Sequence, residues 1–334
     1  MLRTRLEQLL AKASTLRIAV IGDAMLDVYL HGDVDRVSPE APVPIVRVRE
    51  RKDALGGAAN VAQNVAAIGA HVELVAVVGH DTAGTRLREM LGALGGETRG
   101  LVNTGRPTTT KTRVLARAQQ LIRVDEEVDA DCTGAEVEAL LAAVDRAVAD
   151  ADALILEDYN KGVLVVSVIA HAIARANAKG IPIVVDPKYR NFFAYAGATV
   201  FKPNRRELDA ALGAAVDLDH PDALPEVLER LGVNNLLLTL SEKGMALVHR
   251  TTAGGPPTVG VAVDRIATTA REVYDVVGAG DTVSAYLAAM LAAGATPLEA
   301  AEIANFAAGV EVGKLGAATV TPAEVLDAFD ANQA

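Results

Sequence analysis

The chain of 334 residues carries a single cysteine, Cys132, so it can form neither an internal disulfide nor a cysteine-based metal cage. Cys132 therefore reads as a lone thiol without a function. No apolar run approaches the roughly 20 residues that span a bilayer. The first fourteen residues are charged and amphipathic, with Leu2, Leu6, Leu9 and Leu10 on one side, and lack the uninterrupted apolar centre of a signal peptide. A cytosolic (cytoplasmic) protein is expected. An excess of positive charge is also missing. The chain has 32 Lys and Arg against 43 Asp and Glu, a net −11, which argues against nucleic acid and anionic membrane as partners. Small anions stay open, because a few clustered cations act locally. Internal repeats and low-complexity linkers are absent too, and Gly254-Gly255-Pro256-Pro257 reads as a turn.

What is present is a 51% hydrophobic chain, enough for a single α/β domain over residues 1–334 with insertions. Short apolar runs of buried-strand type stand at 17–21, 72–78, 153–156, 181–185, 199–201 and 235–239. Alanine-rich segments with helical spacing lie between them, at 60–68, 135–148 and 166–178. This alternation predicts a mostly parallel sheet covered on both faces, with ligands at the carboxyl ends of the strands. Two stretches break the rhythm. Residues 29–54 include the proline-dense Ser38-Pro39-Glu40-Ala41-Pro42-Val43-Pro44 and then the alternating Ile45 to Arg49. Residues 108–126 are β-branched, with a turn near 116–119. Together they predict a small antiparallel sheet inserted as a lid, and its exposed strands are expected to pair in a homodimer.

The sharpest chemical signal is Asp275-Val276-Val277-Gly278-Ala279-Gly280-Asp281-Thr282, leading into a helical run. Small residues at Gly278, Ala279 and Gly280 let the backbone approach a ligand and turn its N–H groups inward, and the helix start adds more. This is an anion hole. A carboxylate at Asp281 suits a site where a hydroxyl loses its proton while attacking a phosphoryl group. The plainer alternative is an Asp N-cap on a glycine-rich helix start. Gly56-Gly57-Ala58-Ala59-Asn60 is a second such start, with Asn60 and Asn64 one turn apart and able to bind sugar hydroxyls. Asp23 and Asp27 follow the first strand and could grip vicinal hydroxyls, with a helix cap as the competing account of Asp23. Asn204 and Glu207, after another strand, could order hydrated Mg²⁺ or form a capping box. Lys111, Arg113, Arg117 and Arg123 crowd one segment of an acidic chain. Lys111 and Arg113 share a strand face. As a cluster they suit a phosphate, and as single residues a solvated lid surface.

In combination these motifs resemble the ribokinase-type (PfkB) carbohydrate kinases over nearly the whole chain. Residues 56–60 look like their first signature, 275–282 like the second, and Asn204-Arg205-Arg206-Glu207 like their N-x-x-E motif. Four further stretches resemble the heptose-7-phosphate kinases: Arg36 to Pro44, Gln119 to Asp125, Asp158-Tyr159-Asn160-Lys161-Gly162 and Val312-Gly313-Lys314-Leu315-Gly316. The chain departs from that pattern at Val28, where an arginine is usual, and at Glu157, where a small residue is common. The resemblance implies ATP-dependent phosphorylation of the anomeric hydroxyl of a heptose 7-phosphate, on the route to ADP-heptose for lipopolysaccharide. It implies Asp281 as base and Asp158 and Lys161 among the sugar contacts. Thr239, Ser241, Glu242 and Gly244 would edge the nucleotide pocket, with Asn305 under the adenine. Carbonyls near Asp275 and residues 316–319 would hold K⁺. Since the chain ends at Ala334, the nucleotidyltransferase domain fused to some of these kinases is not expected.

The rivals are a kinase of this fold for ribose, fructose or a keto-deoxy acid, and a catalytically dead sugar or nucleotide sensor, which would need no base. A nicotinamide dehydrogenase fails, because Gly22-Asp23-Ala24 rather than G-x-G-x-x-G follows the first strand.

Overall fold

The computed structural model describes residues 1–117, 119–220, 223–251, 260–270 and 272–333. The turn expected at 254–257 lies outside them. The chain opens with helix α1 (Arg3–Ala13), strand β1 (Arg17–Gly22) and two long strands, β2 (Ala24–Val37) and β3 (Pro44–Gly57). Then come α2 (Ala58–Ala67), β4 (His71–Gly79), α3 (Thr82–Ala93) and β5 (Leu101–Thr104). A hairpin of β6 (Thr110–Ala116) and β7 (Gln119–Glu126) precedes α4 (Ala135–Asp150), β8 (Ala153–Glu157), α5 (Val166–Lys179) and β9 (Ile183–Asp186). The second half holds β10 (Val200–Phe201), α6 (Arg205–Leu212), α7 (Leu224–Leu231), β11 (Asn235–Thr239), β12 (Met245–Thr251) and β13 (Gly260–Ile266). Helices α8 (Ala279–Ala293), α9 (Pro297–Glu311) and α10 (Pro322–Gln333) close the chain.

Nine strands form the main sheet in the order β13-β12-β11-β10-β9-β8-β1-β4-β5. The run from β11 to β5 is parallel, as the strand–helix alternation requires. β12 and β13 add an antiparallel edge that the alternation did not foretell. Strand β1 shows why both faces are covered. Ile18 and Val20 join the core under α2, α8 and α9, while Ala19 and Ile21 join the one under α4 and α5. Helix α8 is apolar nearly all round and buried from Asp281 to Met290, so it sits between the sheet and its neighbours and cannot shift freely.

The lid is a four-stranded sheet ordered β3-β2-β6-β7. It is larger than expected and mixed in direction. β2 starts right after Asp23 and β3 runs straight into α2, so the lid grows out of the core without a linker. The β2–β3 and β6–β7 pairs are antiparallel, but β2 and β6 are parallel. The expected antiparallel lid holds within both hairpins, and only the join between them is parallel, because the chain crosses two strand–helix units of the core between β2 and β6 and so returns in the same direction. The prolines at 39 and 42 fall between β2 and β3, where no ladder hydrogen bond is needed.

Candidate active site

Asp281 lies in the first turn of α8 and is only 6% exposed. It is not the N-cap. That position is Gly278, at φ 98°, a left-handed conformation that a side chain would strain. The carboxylate accepts from Asn60 Nδ2 at 2.6 Å and from the Tyr159 hydroxyl at 2.9 Å. Burial pushes the Asp281 carboxyl up to about 6, a rise that the Asn60 bond opposes, Asp186 reinforces, and Tyr159 and Lys202 oppose. A carboxyl raised in this way is a better proton acceptor than an ordinary aspartate. The amides at 278–280 lie where a helix leaves its N–H groups without partners. Ala279 N has only a long 3.5 Å contact to Val276 O.

Two loops hold the partners of Asp281 in place. Gly57, at φ 56° and ψ −134°, turns β3 into α2 and thereby places Asn60, and a Cβ on it would come within 2.4 Å of Asp23 O. The Asp23 carboxylate accepts from the backbone N–H groups of Tyr159 at 2.8 Å, Lys161 at 2.9 Å and Val163 at 3.1 Å. Burial nonetheless pushes it up to about 6. Asp23 is therefore neither a sugar grip nor a helix cap: both oxygens are committed to the loop that carries Tyr159, and a strand follows it. Asp158 is also a loop builder, accepting from Asn160 N at 2.7 Å and the Tyr195 hydroxyl at 2.7 Å. The two asparagines of α2 depart from the expected sugar contact in the same way. Asn60 donates to the base. Asn64 is fully buried, donating to Asn60 O at 3.0 Å and accepting from Thr282 Oγ1 at 3.0 Å.

The basic cluster is real but already paired. Lys111 Nζ lies 3.0 Å from both Asp125 and Glu127, and Lys161 Nζ lies 2.6 Å from the other Glu127 oxygen. Arg113 pairs with Asp27 and stacks over Tyr29, its guanidinium carbon 5.2 Å from the ring centre. Gly56 packs against that Asp27, since a Cβ there would meet Asp27 Oδ2 at 2.6 Å. Arg123 pairs with Asp125 at 2.8 Å. Arg117 does not belong to the cluster. It occupies the turn after β6, six residues from Lys111, so about 20 Å of strand separates them.

Thr239, Ser241, Glu242, Gly244 and Asn305 line one cleft of about 450 Å³, which also reaches Val276, Ala279 and Gly280. The expected nucleotide residues thus share a cleft with the glycine-rich start of α8. The Asn305 amide donates to Ala267 O at 2.8 Å, so it stiffens the cleft floor. A second cleft shares Thr239, Ser241 and Glu242 and adds Asn204, Arg205 and Arg206. Asn204 and Glu207 do form a capping box. Glu207 also meets Lys188 Nζ at 2.6 Å. Asp275 accepts from Val277 N at 3.0 Å and Gly316 N at 3.2 Å, tying the anion-hole turn to the loop after α9. Beside it Glu311 is fully buried with neither oxygen partnered among the described residues. Burial, then Asp275 and Asp281, push its carboxyl up to about 8. Tyr159, Glu127, Glu311, Asp186 and Lys202 were not singled out from the sequence. None has a periodicity or spacing signal, although Tyr159 lies within the 158–162 stretch and Lys202 opens the stretch that carries Asn204 and Glu207.

The model of the pfkB family carbohydrate kinases matches residues 15–324. The chain belongs to that family. It is therefore a sugar kinase, with a ribokinase-like fold. The kinase is 46% identical over 324 residues to the bifunctional protein HldE of Gluconacetobacter diazotrophicus, covering 96% of this chain and 65% of that protein. It is 46% identical over 318 residues to the same-named protein of Shewanella amazonensis, covering 95% and 64%. It thus spans less than two thirds of these relatives. Among solved structures it resembles Arabidopsis thaliana ribokinase complexed with ribose and ATP, with a TM-score of 0.70 and 21% identity over 94% of this chain and 99% of that one. It also resembles the tetrameric inhibited form of phosphofructokinase-2 from Escherichia coli, with a TM-score of 0.74 and 17% identity over 96% and 100%. At these identities the structures establish the fold. Among the described residues no helix is long and apolar enough to cross a membrane.

Tyr159→Phe removes one of the two donors that favour the ionised base of this kinase. The Asp281 carboxyl should then titrate higher, by roughly one unit for the loss of about 1.5 kcal/mol in one charged hydrogen bond. Activity disappears as pH falls through that value, so the acid limb of a kcat/KM profile should move to higher pH. An unmoved limb would show that the hydroxyl does not serve the base.

Proposed function

We propose that this kinase transfers the γ-phosphoryl group of ATP to the anomeric hydroxyl of D-glycero-D-manno-heptose 7-phosphate. The observation that carries the reading is Asp281, a buried carboxylate at the positive end of α8, held by Asn60 and Tyr159 beside the first-turn amides of that helix. Asp281 takes the proton as the sugar O–H bond breaks. The freed oxygen pair forms the new O–P bond, and the bond from Pγ to the bridging oxygen breaks with its electrons staying on ADP. The amides of Gly278, Ala279 and Gly280 stabilise charge on the phosphoryl oxygens. Mg²⁺, when bound, neutralises the triphosphate, and Asn204 and Glu207 would hold it through water. Asp275, the buried Glu311 carboxyl and the 316–319 carbonyls are the groups that would hold K⁺, and a bound cation would favour the ionised form of Glu311.

The choice of a phosphorylated sugar is supported by the likeness to the HldE proteins and by the cation cluster. Lys161 stands two residues past Tyr159, which donates to Asp281, and it shares Glu127 with Lys111. A substrate phosphate would take the place of Glu127 between the two lysines. A second reading, an unphosphorylated sugar, is favoured by one fact: Asp27, Asp125 and Glu127 already offset these cations. We also propose a homodimer formed through the lid, whose outer face exposes Val34, Val48, Ile122 and Val124. Light scattering on the purified protein should give twice the chain mass, and Ile122→Glu should return the monomer; a monomeric parent would refute the dimer.

Asp281→Asn should lower kcat about 10²–10⁴-fold while ATP still binds, the usual worth of a positioned base. Near-normal turnover would remove Asp281 from the mechanism. Lys111→Ala or Arg113→Ala should weaken heptose 7-phosphate binding by about 1.5–3 kcal/mol and leave the unphosphorylated heptose and ATP almost unaffected. Equal losses on both sugars would mean that the cluster organises the lid and reads no phosphate.

A further inference from the structure

Lys202, one residue past β10, is 3% exposed, and its Nζ lies 2.7 Å from Asp186 Oδ2 at the end of β9. A lysine this deep costs several kcal/mol in lost hydration unless it is paired. Burial alone would favour the neutral amine, but Asp186 and Glu157 outweigh it and hold the group charged. Glu157, at the end of β8, is 1% exposed and has one oxygen without a hydrogen-bond partner among the described residues. Two carboxyl groups on adjacent strands are thus gathered around one ammonium. A purely structural pair would be expected inside the core. This one lies at the carboxyl edge of the sheet, against the anion hole. A Cβ built on Gly280 would sit 3.7 Å from Lys202 Nζ and 3.7 Å from Asp186 Oδ2, with nothing nearer. An ammonium has three donors, and Asp186 accounts for one of them.

We infer that Lys202 is a second electrophilic group of the active site, binding the γ-phosphoryl oxygens of ATP alongside the α8 amides, while Asp186 holds it in place. The inference rests on the reading of the α8 start as the phosphoryl site. It gives the site a fixed positive charge at the atom where negative charge passes from sugar oxygen to ADP, which helix amides alone supply only in part. Glu157, which stands where a small residue is common in the resembling kinases, shares this buried pocket: burial, then Asp186 and Asp281, push its carboxyl well above the usual range, and Lys202 opposes that rise.

The test uses the full chain with Mg²⁺ and two probes, ADP and the non-hydrolysable AMP-PNP, with affinities measured by calorimetry. Lys202→Met should weaken AMP-PNP binding about 10–100-fold, the worth of one hydrogen bond to a charged group, and change ADP affinity by less than about twofold. Lys202→Arg should restore most of the loss. Equal losses for ADP and AMP-PNP, or no loss for either, would overturn the inference and leave the pair structural. If Lys202→Met does not fold because Asp186 is left bare, the double variant Lys202→Met/Asp186→Asn makes the same comparison with a neutral pair. Gly280→Val separates the two layers of the argument. If it abolishes AMP-PNP binding while the Lys202 variants bind normally, only the role of Lys202 falls. If it leaves AMP-PNP binding intact, the phosphoryl site at α8 falls with it.

Discussion

The rest of the structure answers to one requirement: a carboxylate must be kept ionisable while buried at the start of α8. Burial alone would neutralise Asp281, and its value of about 6 is a balance between lost hydration and the donors brought to it. Each donor comes from a different part of the fold. Asn60 arrives on α2 only because Gly57 permits the turn out of β3. Tyr159 arrives on the loop after β8 only because Asp23 gathers three of that loop's amides. The lid strands leave the core at those same two places, immediately after Asp23 and immediately before α2. The lid and both donors of Asp281 therefore share the same two backbone junctions.

The charges around this centre are arranged in pairs that span elements rather than lie along them. Lys111 on β6 and Lys161 on the core loop share Glu127, so one carboxylate bridges lid and core. Lys202 and Asp186 do the same for neighbouring strands of the main sheet, and Lys188 and Glu207 join the end of β9 to α6. Partly buried ion pairs of this kind add little net stability, because lost hydration offsets much of the attraction. Their use is positional. They keep cations at the carboxyl edge of the sheet, in an acidic protein, where anionic ligands of a kinase must sit.

The fold was legible in the sequence wherever a local pattern forces it. Apolar strands buried on both faces must be covered by helices, and alternation with helical segments makes them parallel. Thus β1, β4, β8, β9, β10 and β11 were foreseen within a residue or two. The direction of β6 against β2 was not, because it depends on how many crossovers intervene. Asp281 and its glycine turn were legible as chemistry, since a carboxylate beside an anion hole is costly unless used. The same logic misled at Asp23 and Asp158, because a carboxylate that binds backbone amides has the same sequence signature as one that binds a sugar.

By itself, then, the sequence determined a parallel α/β sheet and an inserted β lid, and it pointed to the glycine-rich start of α8 with Asp281 as the candidate base. Those follow from periodicity, glycine conformations and the position of one charge, all read within a few residues. The tertiary structure decided which polar groups were free and which were spent. It turned Asn60 onto the base, buried Asn64, committed Asp23 and Asp158 to a loop, separated Arg117 from the other cations, and set Lys202 beside Gly280. The reason is physical: a hydrogen bond between residues hundreds of positions apart, such as Asn60 to Asp281, leaves no periodic trace in the chain, and only the packed fold can say who holds it.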